Sequence, residues 1–385
     1  MIASAGEIAA LFKEKYNTEP ALYFSPGRIN LIGEHIDYND GFVMPGAIDK
    51  GIFFAVSANN SNRVCAYSAD MDEELDIALA DIHVMSSWKN YILGVVDQLI
   101  KRNYPVSGFN VAFGGFLPVG AGLSSSAAVE CGLAFALNEI FNLGINRLDI
   151  AIICQKAEQT YPGVQCGIMD QFASVMGKQD HVLLLDCNTL AYQTLPFITQ
   201  DYEIVLINSK VHHELDGGEY NTRRQESEAG LQLLKQVYPS AKTFRDISPS
   251  QVKEAKDKFD DGEVYKRCLF VTGEIARTQE GAELLKKSKI EDFGKLMFET
   301  HEGLSQLYKV SCEELDYLVE LAKQHPEIVG SRMMGGGFGG CTINIIQKSS
   351  VPQVTGSITQ QYKQQYGIDA EVYIVHLSDG TYHIA

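Results

Sequence analysis

The chain has 385 residues, 45% hydrophobic and 10% aromatic, which excludes a disordered or fibrous protein. Its 32 Lys and Arg against 49 Asp and Glu leave a net charge of −17, so it is a poor general binder of nucleic acid or anionic membrane, and any phosphate must be held locally against the overall field. At roughly 150 residues per domain the length suggests two domains, no uninterrupted apolar run reaches the ~18 residues of a membrane span, and eight cysteines without a C-x-x-C pair read as free thiols of a reducing compartment; a soluble cytoplasmic protein is expected.

Residues 1–16 carry Glu7, Lys13, Glu14 and Lys15 among apolar positions and predict a short amphipathic helix, not a signal peptide. Residues 26–39 are dense in polar groups, with Glu34, His35 and Asp37 inside four residues just after a short apolar strand-like run. Carboxylates and an imidazole together suit a polyhydroxylated ligand; a surface salt-bridge patch with Arg28 is the alternative. One histidine without zinc spacing disfavours a metal there. Residues 51–56 predict a strand.

The segment Leu117-Pro118-Val119-Gly120-Ala121-Gly122-Leu123-Ser124-Ser125-Ser126-Ala127-Ala128 leads two glycines and three hydroxyls into a helix predicted over 126–141. Free N–H groups and the positive dipole end at such a point suit an anion, and a serine hydroxyl can ligate a hard cation. A serine N-cap after a flexible turn is the alternative. It is not a Walker loop: Gly177-Lys178 and Gly294-Lys295 lack the following Ser or Thr.

A helix over 148–159 places Ile150, Ile153, Cys154 and Ala157 on one face, and Glu158 falls on that same face. A carboxylate there is either a cation ligand or the mark of a helix end open to solvent. Asp170, between apolar residues, is a helix N-cap unless a partner elsewhere recruits it.

Further strands are predicted over 181–185, 202–208, 342–346 and 370–375, and helices over 222–238, 262–287 and 312–323. A domain boundary falls near 195–205, around Pro196. His212-His213 lacks metal spacing and reads as loop. Asp292-Phe293-Gly294 lies in a charged helical stretch without its kinase companions. Gly335 to Gly340 contains G-x-G-x-x-G, but a strand follows where a dinucleotide fingerprint needs a helix; the backbone there is expected to press against a ligand or another segment. The fold class is α+β, with a mixed first half and a helix-rich second half.

Taken together, these segments resemble the GHMP sugar-kinase superfamily and, within it, the galactokinase family. The resemblance rests on Gly27-Arg28-Ile29-Asn30-Leu31-Ile32-Gly33-Glu34-His35-Ile36-Asp37-Tyr38-Asn39, on the phosphate loop from Pro118 to Ala127, and on the glycine-rich motif from Met334 to Gly340. It rests also on Cys166-Gly167-Ile168-Met169-Asp170-Gln171-Phe172, Glu219-Tyr220-Asn221-Thr222-Arg223-Arg224 and the block from Tyr308 to Asp316. It spans nearly the whole chain. Ile36 stands where the family usually has Thr, Gly218 where it has Ser, and Ser227 where Cys is common; these departures touch sugar preference.

The resemblance implies a two-lobed fold, residues 1–200 and 201–385, with the site in the cleft. It implies ATP-dependent phosphorylation of the anomeric hydroxyl of D-galactose, with Mg²⁺ as cofactor. Glu34, His35, Ile36, Asp37, Asp170 and Tyr220 would surround the sugar. Gly120, Ala121, Gly122, Leu123, Ser124, Ser125 and Ser126 would wrap the nucleotide phosphates, and Ser68 and Trp88 would border the adenine. Ser126 and Glu158 would hold the cation. Asp170 would be the base, paired with Arg28, although a carboxylate beside an arginine is a weak base, and a loose transition state asks little of it. A kinase of another sugar and a non-catalytic sugar sensor are the rivals; the intact serine run favours the enzyme. A monomer is the default expectation.

Overall fold

The computed structural model describes residues 4–117, 122–197, 200–211 and 218–385. Ser4 opens the first helix, α1 (Ala5–Tyr16), by accepting the Glu7 N–H at 3.3 Å, and Lys13 and Lys15 occupy its last turn, so both ends suit the helix dipole. Ile8 and Phe12 are buried on its inner face.

The chain continues through β1 (Ala21–Asn30), β2 (Phe42–Val43), β3 (Pro45–Ala58), β4 (Arg63–Ser68), β5 (Glu73–Ala78), α2 (Lys89–Lys101) and β6 (Phe109–Gly115). Three helices follow, α3 (Ser125–Ile140), α4 (Arg147–Thr160) and α5 (Met169–Met176), then a hairpin of β7 (His181–Asp186) and β8 (Tyr192–Pro196). The second half begins with β9 (Tyr202–Asn208) and the helices α6 (Gly218–Val237), α7 (Pro249–Glu254), α8 (Gly262–Lys286), α9 (Ile290–Glu302) and α10 (Glu313–Lys323). It closes with β10 (Ile328–Met333), β11 (Cys341–Gln347), α11 (Val351–Tyr366), β12 (Glu371–Val375) and β13 (Tyr382–Ile384).

A six-stranded sheet in the order β13-β1-β3-β6-β4-β5 forms the first lobe, antiparallel except where β4 runs parallel to β6. Helix α3 is buried at every position from Ala127 to Leu137, because it lies between this sheet and α2 and α4. An Ala- and Leu-rich helix without a polar face is the expected sequence for that place. The second lobe is built on an antiparallel sheet in the order β10-β11-β9-β12. Residues 202–208 were expected as one strand and form one, central in that sheet. The strand β13 leaves the second lobe and pairs with β1 on the edge of the first. The eight cysteines are free, and among the described residues no helix is long and apolar enough to cross a membrane.

Candidate active site

The end of β1 delivers Arg28, and the turn beyond it delivers Glu34, His35 and Asp37; the first turn of α5 delivers Asp170. All five line one cavity, together with Tyr220 at the start of α6 and Gly335 of the glycine-rich motif. Its atom-free space is about 340 Å³, part of it open to solvent.

Arg28 is 4% exposed and grips Asp170 with both ends of its fork: Nε donates to Oδ1 at 2.9 Å and Nη2 to Oδ2 at 3.1 Å. Its Nη1 donates to the Gly122 carbonyl at 2.5 Å, and its backbone N–H to the Leu123 carbonyl at 3.2 Å. One arginine thus ties Asp170 to the end of the glycine-serine loop. Asp170 sits in the first turn of α5 but is drawn sideways by this partner rather than used as a cap.

Ser124 stands at the N-cap of α3 with φ +57° and makes no capping hydrogen bond. Its hydroxyl instead donates to Oδ2 of Asp170 at 2.5 Å. The first N–H groups of α3 therefore lack a side-chain acceptor and are available to an anion. Ser125 begins the helix and Ser126 follows, its hydroxyl donating to Glu158; Leu123 is buried. Gly120 and Ala121, like Pro118, Val119, His212 and His213, lie outside the described residues.

Glu158 is buried, so the alternative of an open helix end does not hold. Burial first, then the Asp170 charge, push its carboxyl up to about 7. Gln171 Nε2 donates to Glu158 Oε2 at 2.5 Å and to Glu130 Oε2 at 3.3 Å. Glu130, on α3, is fully buried, and burial followed by the Glu158 charge raises its carboxyl well above the usual range. Two oxygens, from Ser126 and Glu158, face a strongly negative corner, which is the donor chemistry of a hard cation. Among the described residues no group of three or more His, Cys, Asp or Glu forms a cage. Magnesium takes one or two protein oxygens and completes its shell with water and phosphate. The site fits Mg²⁺ and a nucleotide phosphate chain on these grounds.

Asp37 is raised to about 7, by burial first and then by Asp170. Gly167 makes room for it: a Cβ at Gly167 would overlap Asp37 Oδ2. Burial lowers His35 to about 4, so its ring is neutral. His35 Nε2 lies 3.1 Å from the Gly336 carbonyl, which can only accept, so Nε2 carries the proton. Nδ1 then accepts from the Tyr38 hydroxyl at 2.7 Å, and Tyr38 from Tyr308 at 3.0 Å. The Tyr220 ring packs 5.4 Å from the imidazole.

This geometry corrects the expected place of Ile36 and bears on His35, Ser68 and Trp88. Both ring nitrogens of His35 are engaged within the protein, so the residue shapes the cavity more than it offers a free donor. Ile36 does not line the cavity; it is fully buried in an apolar cluster with Val43, Ile168 and Leu183, and it packs over Gly41. The departure from Thr therefore lies outside the pocket. Ser68 and Trp88, expected on the adenine side, do not line this sugar cavity. Trp88 is 6% exposed, its indole N–H donates to Glu73 Oε2 at 3.0 Å, and its ring meets Phe113 edge-on, so it packs as a core residue.

Arg332, Glu274, Gln171 and Glu130 escaped the sequence reading. Glu274 of α8 accepts the Gly33 N–H at 3.0 Å and holds the turn where φ is +96°. The only signal for Arg332 is a cation placed inside the otherwise apolar end of β10. The glycine-rich motif presses on other chain segments: a Cβ at Gly335 would stand 3.3 Å from Gly122 Cα, and one at Gly337, where φ is +83°, would overlap the Val310 carbonyl.

Three family models match in chain order: the galactokinase galactose-binding signature over residues 10–58, the GHMP kinases N terminal domain over 90–178, and the GHMP kinases C terminal over 282–364. A galactokinase from Thermosipho africanus is 39% identical over 93% of this chain and 98% of its own length. The chain belongs to the galactokinase family. Another relative, the galactokinase of Clostridium acetobutylicum, is 39% identical over 96% of both chains. A solved structure of Lactococcus lactis galactokinase complexed with galactose superposes with a TM-score of 0.95 at 31% identity, covering 98% of this chain and 99% of that one. The Methanococcus jannaschii mevalonate kinase, at 17% identity and a TM-score of 0.64, shares the fold. The two-lobed GHMP kinase fold expected from the sequence is the fold of this galactokinase-family chain.

Proposed function

We propose that the chain transfers the γ-phosphoryl group of ATP to the anomeric hydroxyl of D-galactose, giving α-D-galactose 1-phosphate and ADP, with Mg²⁺ as cofactor. The observation that carries this reading is the bridge through Asp170. The same carboxylate lines the cavity beside Glu34 and Asp37 and is hydrogen-bonded to Ser124 at the tip of the phosphate loop. A sugar hydroxyl at Asp170 therefore lies next to the loop that would carry the phosphates.

Glu34, Asp37 and Tyr220 supply acceptors and a wall for a monosaccharide. Asp170 accepts a hydrogen bond from the anomeric hydroxyl and aims its oxygen at phosphorus. As the new O–P bond forms, the bond to the β,γ-bridging oxygen breaks, and the proton passes from the sugar oxygen to Asp170 and on to solvent. Three donors already sit on Asp170, two from Arg28 and one from Ser124, and hold its carboxylate in one orientation. Its chief task is orientation, as a loose phosphoryl-transfer transition state allows. Arg28 supplies fixed positive charge beside the reacting atoms. Ser126 and Glu158 would hold Mg²⁺, whose chemistry when bound is to neutralise phosphate charge. Ser68 and Trp88 remain assigned to the adenine side only as edges of the nucleotide lobe.

The protein is read as a cytoplasmic monomer that binds neither nucleic acid nor membrane, in keeping with its charge of −17 and its free thiols. A coupled ADP-release assay with galactose, N-acetylgalactosamine and arabinose tests the reading. Turnover is expected with galactose and at least about tenfold lower with the others, because a site that hydrogen-bonds each hydroxyl rejects analogues lacking one. ADP release without galactose dependence, or preference for another of these sugars, overturns it.

A further inference from the structure

Arg332 is fully buried, and all five of its N–H donors are spent. Nε donates to the Leu31 carbonyl at 2.9 Å; Nη1 donates to the Met333 carbonyl at 2.5 Å and to Glu34 Oε1 at 3.1 Å. Nη2 donates to the Asn30 carbonyl and again to Glu34 Oε1 at 3.1 Å. The Gly335 N–H reaches the same Oε1 at 2.8 Å. Three donors therefore converge on one carboxylate oxygen and fill it. Glu34 Oε2 has no hydrogen-bond partner among the described residues, while Glu34 lines the cavity.

We propose that Arg332 is a positioning residue for sugar recognition, which locks Glu34 by filling Oε1 and leaves Oε2 as the acceptor turned to the ligand. The proposal rests on the reading of Glu34 as a sugar contact. Its physics is the planar fork: N–H groups from Nη1 and Nη2 converge on Oε1 and hold the carboxylate in place, and the remaining three donors fix the fork itself to the end of β1 and to its own strand. Lysine has three donors and no plane, so it can keep the charge but not the geometry. The clamp also joins the lobes, since Arg332 belongs to β10 of the second sheet while Asn30, Leu31 and Glu34 follow β1 of the first. Register between the sheets thereby sets where the acceptor points.

Three proteins, wild type, Glu34→Gln and Arg332→Lys, are compared by initial rates with galactose and its monodeoxy analogues, with KM for ATP and the melting temperature measured alongside. The expected result for Arg332→Lys is a KM for galactose raised about tenfold or more, with KM for ATP within about twofold and kcat within about threefold. One deoxy sugar that is a poor substrate for wild type should lose nothing further in either variant, because hydroxyl, Glu34 and Arg332 act through one atom. If Glu34→Gln keeps wild-type discrimination among the sugars, the reading of Glu34 fails. If Glu34→Gln loses it and Arg332→Lys keeps it, the inference about Arg332 fails alone. Should Arg332→Lys melt too low to assay, the double variant Glu34→Gln/Arg332→Gln leaves no charge unpaired. A galactose KM equal to that of Glu34→Gln supports the inference, and a further tenfold rise contradicts it.

Discussion

The Ser124 hydroxyl donates to Oδ2 of Asp170 at 2.5 Å, although Ser124 occupies the N-cap of α3, where a serine ordinarily bonds its own helix. The left-handed backbone at φ +57° turns the side chain out of the capping position and toward Asp170. One residue thus leaves the helix N-terminus open for phosphate and steadies the carboxylate that aims the sugar.

That diversion has a kinetic consequence. A hydrogen bond to a charged group contributes about 1.5–3 kcal/mol, so Ser124→Ala is expected to lower kcat by about 10- to 100-fold with KM for ATP nearly unchanged. Ser124→Gly should lower kcat alike yet melt higher than the alanine variant, because glycine adopts positive φ without strain. A raised KM for ATP with intact kcat would reassign the hydroxyl to the phosphates.

Asp37 gives the ligand-free protein a pH signature. Its carboxyl is pushed from 3.8 to about 7, by burial and then by Asp170. The folded state keeps a proton that the unfolded chain releases between those values, so this residue's contribution to stability falls as pH rises from about 4 to 7 and stays low above. Asp37→Asn removes the titration. Its melting temperature should exceed that of wild type at pH 8 and converge on it near pH 4, while its KM for galactose rises. His35 has the opposite sign: lowered to about 4, it costs stability as pH falls from 6.5 toward 4. Thermal scans across pH 4–8 on wild type and variant separate the two, and a constant offset at every pH would rule out a titrating Asp37.

Gly167 is a steric test of the same corner. A Cβ there overlaps Asp37 Oδ2, so Gly167→Ala must displace a carboxylate that faces the cavity. Galactose KM is expected to rise about tenfold or more, with little change in KM for ATP. Equal losses on both substrates would point to general misfolding instead.

For the cation, Glu158→Gln should raise the Mg²⁺ concentration for half-maximal rate by about tenfold or more. The variant should also melt higher than wild type at pH 8 without metal, because Glu158 likewise sits near 7 in the folded protein. An unchanged Mg²⁺ response places the ligand elsewhere.

Much of this was legible in the sequence where a pattern is local. Within the run 202–208 the stretch Ile204-Val205-Leu206-Ile207 is continuously apolar, which marks a strand covered on both faces, and β9 is central in its sheet. Glu158 showed itself by falling on the apolar face of its helix, and burial bears that placement out. Pairings between distant residues were not legible. β13 joins β1 across almost the whole chain, and three residues with ordinary local patterns carry no sign of it. The turn of the Ser124 hydroxyl toward Asp170 was not legible either, because nothing in a serine run announces a left-handed backbone. Ile36 looked like a pocket residue because its neighbours Glu34, His35 and Asp37 are, yet the left-handed turn at His35, φ +61°, and the 3₁₀ turn that follows send it into the core.

The central claim, that Asp170 aims the sugar hydroxyl at the phosphate, is tested most directly by Asp170→Ala with binding and turnover measured on the same preparation. Galactose binding by calorimetry should remain detectable, because Glu34 and Asp37 still line the cavity, while galactose-dependent ADP release should fall to background. A near-wild-type kcat in that variant would contradict the account.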